Sequence, residues 1–246
     1  MRKLSILWWI VGGAVLLVLS AEILIYAANL RTRHQAEALL RDVRRIRVGE
    51  STTADVLRIV RHYPGALPGS ASSCAADESH SIRIANDIIN RFGFAAPALR
   101  ILGARPSGVV VMFLLKKGQV CYMSYVFGAG VSDLDLEAEM TERFFDCDVN
   151  ATEYSRDACY SVAEGGIRRT RRLSAEVSNL ASAQERQHAF DFDLSCLTSI
   201  RGCEKLCVMN PSVWRDEVAK ARKEGWTLRP EDINDPRCLT IERLDH

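Results

Sequence analysis

Cysteines are the residues of this chain best suited to chemistry, and there are eight: Cys74, Cys121, Cys147, Cys159, Cys196, Cys203, Cys207 and Cys238. Three of them fall in one short stretch, LSCLTSIRGCEKLC, from Leu194 to Cys207. Thiols serve as disulfides, metal ligands or nucleophiles, and their spacing helps to separate these uses. The chain has no C-x-x-C pair and no histidine at zinc-ligand spacing, so no metal ligand and no cofactor is expected. An even and rather high count suits an oxidising compartment. The candidate disulfide cysteines are Cys74, Cys196, Cys203, Cys207 and Cys238. With residues 202–209 helical, Cys203 and Cys207 would stand one turn apart, with Cβ atoms about 5–6 Å from each other. A disulfide needs about 3.8 Å, so each is expected to pair elsewhere. Cys196 is placed to close a short loop onto Cys203, and Cys207 to reach Cys238 or Cys74. Cys121 shares a face with Met123, Tyr125 and Phe127 and is expected to be a buried thiol.

The other reactive groupings have ordinary explanations. CAADESH, Cys74 to His80, crowds a thiol, carboxylates and an imidazole into seven residues. Nucleophilic catalysis requires a base within hydrogen-bond reach of the thiolate, which crowding alone does not supply. Asp191 and Asp193 project from one face of an expected strand without a neighbour to shift either pKa, so solvation explains them. VSDLDLEAEM sets Asp133, Asp135 and Glu137 at alternate positions. A calcium loop would need Gly and Glu where Ala138 and Phe144 stand. IRRTRRL, Ile167 to Leu173, carries arginines on both faces and reads as a protected edge strand. There is no P-loop, G-x-S-x-G, H-E-x-x-H or dinucleotide glycine fingerprint. The chain is therefore expected to bind or scaffold rather than catalyse, with no catalytic residue assigned. Two alternatives stand beside this reading: a membrane-anchored hydrolase or thiol enzyme with dispersed residues around Cys74 and His80, and a cytoplasmic-facing metal or redox protein using the cysteines.

What positions these groups begins with a membrane segment. Leu4 to Ala28 is a 25-residue apolar run broken only by Glu22. As a helix it would span about 37 Å, enough for a hydrocarbon core of roughly 30 Å. Trp8, Trp9 and Tyr26 suit its interfaces. A cleaved signal peptide would need a small-residue site near Ser20 or Ala21. None is convincing there, and the apolar run continues past it, so an uncleaved anchor contacting the bilayer through residues 4–28 is expected. Arg2 and Lys3 favour a cytoplasmic N-terminus, while Arg31, Arg33, Arg41, Arg44, Arg45 and Arg47 pull the other way. The cysteine pattern decides for an extracytoplasmic body on a single-pass protein of the cell membrane. Residues 1–47 hold eight Lys or Arg against three acids, a net of +5, which leaves −4 for the rest of a chain of overall charge +1. The six arginines after the run are candidates for anionic lipid contact. The mildly acidic body carries no nucleic-acid footprint.

Behind the anchor, Ala36, Leu39, Leu40, Val43 and Ile46 recur at helical spacing. A second helix starts at Thr52, capped by Asp55, and ends at Pro64-Gly65. VGESTTADVLRIVRHYPG, eighteen residues in all, resembles the opening helix of small lipoproteins of the outer-membrane assembly machinery. The lipidated cysteine of that family is absent, and no family is assigned on the likeness. Gly65 to Ser73 reads as a loop, and Ser81 to Phe94 fits strand or helix. Gly108 to Gly128 reads as a central hairpin around KKGQ, apolar enough to be covered on both faces. Ala158 to Ala163 and Arg168 to Val177 suggest a second hairpin, HAFDFDLSC (His188 to Cys196) a strand, and Cys238 to Leu244 a last one. Asn210-Pro211 begins a helix that stops at Gly225. The expected fold is α+β: one N-terminal transmembrane helix, then a mostly antiparallel sheet with two or three packed helices. The expected divisions are an anchor with its N-tail at 1–30, a basic juxtamembrane helix plus a second helix at 31–65, and the extracytoplasmic α+β domain at 66–246.

Overall fold

The computed structural model describes residues 2–63, 66–68, 77–86, 98–99, 102, 104, 106–131, 134–143, 156–164, 169–198, 203, 205–225 and 238. Its first element, α1 (Arg2–Val43), is one helix of 42 residues. The apolar run and the basic segment that follows form a continuous rod with two environments. Trp9, Leu16, Leu17, Ile23, Leu24 and Tyr26 are exposed, whereas Ala36, Leu39, Leu40 and Val43 are buried in the core. The stripe after residue 30 is thus core-facing, and Ile46, just past the helix end, is buried as well.

The next helix, α2 (Thr53–His62), begins where Thr52 and Asp55 suggest. The Asp55 carboxylate accepts from the Thr52 N–H at 3.0 Å and from its hydroxyl at 2.9 Å. Val56 and Ile59 are buried, and the buried Tyr63 donates its hydroxyl to Asp42 of α1 at 2.7 Å. That bond and desolvation hold the Tyr63 phenol well above its usual range, desolvation being the larger cause.

Seven strands form one mixed sheet in the order β1-β2-β3-β4-β5-β7-β6. They are β1 (Ala66–Pro68), β2 (Glu78–Asn86), β3 (Ser107–Lys116), β4 (Gln119–Val131), β5 (Leu134–Arg143), β6 (Arg156–Glu164) and β7 (Arg169–Ser178). Neighbours are antiparallel except β5 and β7, which run parallel. Two expectations change here. The Gly65–Ser73 segment is not wholly loop, because Ala66–Pro68 pairs with β2. IRRTRRL is not an edge strand: β7 lies between β5 and β6, and β6 takes the edge. The acidic run forms strand β5 beside it, and Arg172 bridges Glu137 at 2.6 Å and Glu139 at 3.5 Å.

The central hairpin turns at Lys117 (φ 52°) and Gly118 (φ 79°), a two-residue turn with both central residues left-handed. Val109, Val111 and Phe113 face the core, but Val110 and Met112 are 41% and 36% exposed. The expectation of cover on both faces therefore fails. The pleat sends alternate residues to opposite faces, and the described helices pack on one of them.

HAFDFDLSC is not a strand. Its first residues end α3 (Ala183–Ala189), residues 190–193 are irregular, and a 3-10 turn covers Leu194–Thr198. Ser182 and Glu185 form a capping box that starts the helix, and Asp193 accepts from the Ser195 N–H at 2.8 Å to start the turn. Phe190, Phe192, Leu194 and Cys196 are nonetheless all buried, as period-two alternation requires. A short α4 (Leu206–Met209) leads into α5 (Pro211–Glu224). Asn210 caps α5 by accepting from the Val213 N–H, and Gly225 ends it at φ 73°. Of the Cys238–Leu244 segment only Cys238 is among the described residues. One core cluster joins α1, α2, β2 to β5, β7 and the C-terminal helices.

Candidate functional site

The C-terminal half of α1 lies along the 3-10 turn, and their meeting forms a cleft of about 250 Å³. Arg33, Glu37, Arg41 and Arg44 line one side, three or four residues apart and therefore on one helical face. Phe192, Asp193, Leu194 and Ser195 line the other, with Leu40 between. Arg33 Nε donates to Glu37 at 2.7 Å, and its Nη1 donates to Thr198 Oγ1 at 3.0 Å. Arg44 donates to the Phe190 carbonyl across the cleft. Arg41 makes no hydrogen bond or ion pair among the described residues and is exposed.

Tyr125 of β4 stands behind this cleft. Its ring lies 4.8 Å from Phe192 and 6.5 Å from Phe190, centroid to centroid. The residue is fully buried, and its hydroxyl has no hydrogen-bond partner among the described residues. Burial pushes the phenol far up, modulated by the charges of Arg44 and Glu37. An orphaned buried hydroxyl costs about 1–3 kcal/mol.

A buried ion pair fixes the top of the cleft. Arg186 of α3 donates Nε to Glu142 of β5 at 2.7 Å, Nη1 to the Arg44 carbonyl at 2.6 Å, and Nη2 to the Ile46 carbonyl. Its guanidinium also lies 4.9 Å from the Phe190 ring centroid. Glu142 completes the cluster by accepting from the Val48 N–H at 3.3 Å. Desolvation outweighs the pull of Arg186 and holds the Glu142 carboxyl above its ordinary range. The loop leaving α1 is thereby pinned to sheet and helix at once.

The cysteines brace the opposite wall. The Sγ atoms of Cys196 and Cys203 are 2.07 Å apart, and those of Cys207 and Cys238 are 1.93 Å apart. The first bridge ties down the 3-10 turn that carries Leu194 and Ser195. Cys121 is buried on β4. Cys74 lies outside the described residues, as does Cys147. His80 is on β2, 2.6 Å from Glu78. Asp191 accepts from the Ser212 hydroxyl, so Asp191 and Asp193 each serve local structure rather than facing one another as an acid and base. Among the described residues no group of three or more His, Cys, Asp or Glu is placed to hold a metal ion.

Sequence reasoning missed Arg186, Glu142 and Tyr125 as a cluster, and it read the α1 arginines only as lipid contacts. Arg186 and Glu142 are 44 residues apart and carry no local signal. The capping box at Ser182 was the one available sign that a helix would present Arg186. No protein-family profile matches the chain, and neither a curated protein nor a solved structure matches it.

Proposed function

We propose that this chain is a single-pass protein of the cell envelope, anchored by the first half of α1, with an extracytoplasmic body that binds or scaffolds another component. The observation that carries the reading is the apolar half of α1. Its mean hydropathy reaches 2.1, yet only 6% of that window is buried, the reverse of a core helix in a soluble fold. Continuity supports anchoring over cleavage, since Ser20 and Ala21 lie mid-helix and Ile25 packs beneath Ala104, Leu99 and Leu102. The two close cysteine pairs favour an oxidising side. The cleft lined by arginines, aliphatic groups and one aromatic ring is equipped to hold a ligand, which favours binding over catalysis.

Helix geometry narrows the lipid contact. Arg31 and Arg33 stand about 5–8 Å beyond Ala28 along the axis, within headgroup reach. Arg41 is about 20 Å beyond it, outside a Debye length of about 8–10 Å. Arg44, Arg45 and Arg47 follow further on. Arg33 is already held by Glu37 and Thr198, so we assign lipid contact to Arg31 alone.

The test is topological. In a bacterial host, alkaline phosphatase fused after His246 is expected to be active and a fluorescent protein fused there to be dark. A fluorescent, phosphatase-inactive pair would place the body in the cytoplasm and sink the proposal.

A further inference from the structure

We propose that the cleft between α1 and the 3-10 turn is a binding site for a small oxyanion, a phosphate or carboxylate. The charges point to this sign. Both acids of the cleft are already engaged, Glu37 by Arg33 at 2.7 Å and Asp193 by the Ser195 N–H at 2.8 Å. Arg41 has no partner among the described residues, and Arg44 gives one hydrogen bond to the Phe190 carbonyl, leaving most of its five N–H donors available. Two guanidiniums one turn apart can grip an oxyanion by charge-assisted, geometrically matched hydrogen bonds.

The Tyr125 hydroxyl is buried without a partner behind the same wall, against Phe192 and beside Glu37 and Arg44. Tyr125 itself does not line the cleft, so the grip on the ligand rests on the two guanidiniums. Leu40, Phe192 and Leu194 close the floor of the cleft but are buried, so the surface it offers is mainly polar. A volume of about 250 Å³ admits a small molecule rather than a folded partner. The disulfide at Cys196 and the Arg186 cluster hold the two walls in place, so the site is formed in advance.

An oxyanion of this kind can be a soluble molecule or a lipid headgroup. The distance of Arg41 from the membrane span favours the soluble source. The probe is phenyl phosphate, titrated by calorimetry against the full chain in phosphatidylcholine nanodiscs, with benzyl alcohol as the neutral counterpart. Expected are saturable binding of phenyl phosphate at about 1 mM or tighter and no saturation by benzyl alcohol. Arg41→Ala should weaken binding at least roughly tenfold, the loss of one charge-assisted contact, and Arg41→Lys should restore part of it. Repeating the titration in phosphatidylglycerol nanodiscs separates the sources. Unchanged affinity assigns a soluble ligand, and competition assigns the headgroup. Absence of saturation, or equal affinity in Arg41→Ala, would overturn the site while leaving the topological proposal intact.

Discussion

Two residue pairs show how far a local pattern reaches. Thr52 and Asp55 are three positions apart, and the capping contact between them is visible in the sequence. Hydrogen bonds from the Thr52 backbone and hydroxyl hold the Asp55 carboxyl below its ordinary value of 3.8. A carboxylate whose folded pKa is depressed contributes stability that is complete above its unfolded value and is lost as pH falls through the folded one. A carboxyl-carbon NMR titration should therefore give Asp55 a midpoint below 3.8, and a midpoint at or above that value would contradict the cap. Arg186 and Glu142 are the opposite case, joined only by the tertiary fold and invisible to spacing. Their side chains are 8% and 3% exposed, so removing one leaves a charge stranded in low dielectric. Arg186→Met is expected to cost about 3–5 kcal/mol, and adding Glu142→Leu to recover much of it. Equilibrium denaturation of both variants checks this. A single-variant loss under about 1 kcal/mol would mean the pair is more solvated than its burial implies.

At the scale of elements, the sequence was most legible where one signal acted alone. The β3–β4 hairpin and the α5 helix carry turn and cap residues that agree with their apolar periodicity, and both form at the expected places. HAFDFDLSC was misread because burial alternation was taken for a strand. In the fold, alternate burial is produced by a helix end, an irregular link and a 3-10 turn in succession, and the Ser182 capping box outranked the period. IRRTRRL was misread because a strand's place in a sheet depends on its partners. The acids of β5 neutralise Arg172 from the neighbouring strand, so β7 need not lie at the edge. Glycines in the hairpin give a sharper test of the strands. At Gly118 an added Cβ would meet only Thr53 Oγ1, at 3.9 Å, so Ala there costs backbone strain alone, about 1 kcal/mol. At Gly108 the Cβ would lie 2.6 Å from the Ile84 carbonyl oxygen, and β2 would have to move. Gly108→Ala should cost more, up to about 3 kcal/mol. Urea denaturation compares the two, and equal losses would show that β2 yields easily.

At the scale of the whole molecule, α1 belongs to two structures at once, and that sharing was not legible in a division of the chain at residue 30. Hydropathy marks the exposed apolar half and helical spacing marks a second stripe, but nothing local says that the stripe is the floor of the body's core. Disulfides add cross-links at the far end of the same core. Their separations of 7 and 31 residues imply loop-entropy contributions of about 2.5 and about 3.7 kcal/mol. Replacing Cys207 and Cys238 by Ala should therefore lower stability more than replacing Cys196 and Cys203. The more searching test separates the two roles of α1. Deleting residues 1–24 removes most of the exposed apolar surface but keeps Ala36, Leu39, Leu40 and Val43, each 5% exposed or less. That fragment should be soluble without detergent and unfold cooperatively. Deleting residues 1–48 also strips Ile46 and Val48 and frees the Arg186 guanidinium from the two carbonyls that anchor it. Leu39, Leu40, Val43, Ile46 and Val48 each contribute about 1.5–3 kcal/mol of burial, which together rivals the usual stability of a domain, about 5–15 kcal/mol. The longer deletion should give an aggregated or unfolded product by circular dichroism and gel filtration. A folded product from it would show that the body's core is complete without α1, and that the helix is a tether rather than a shared element.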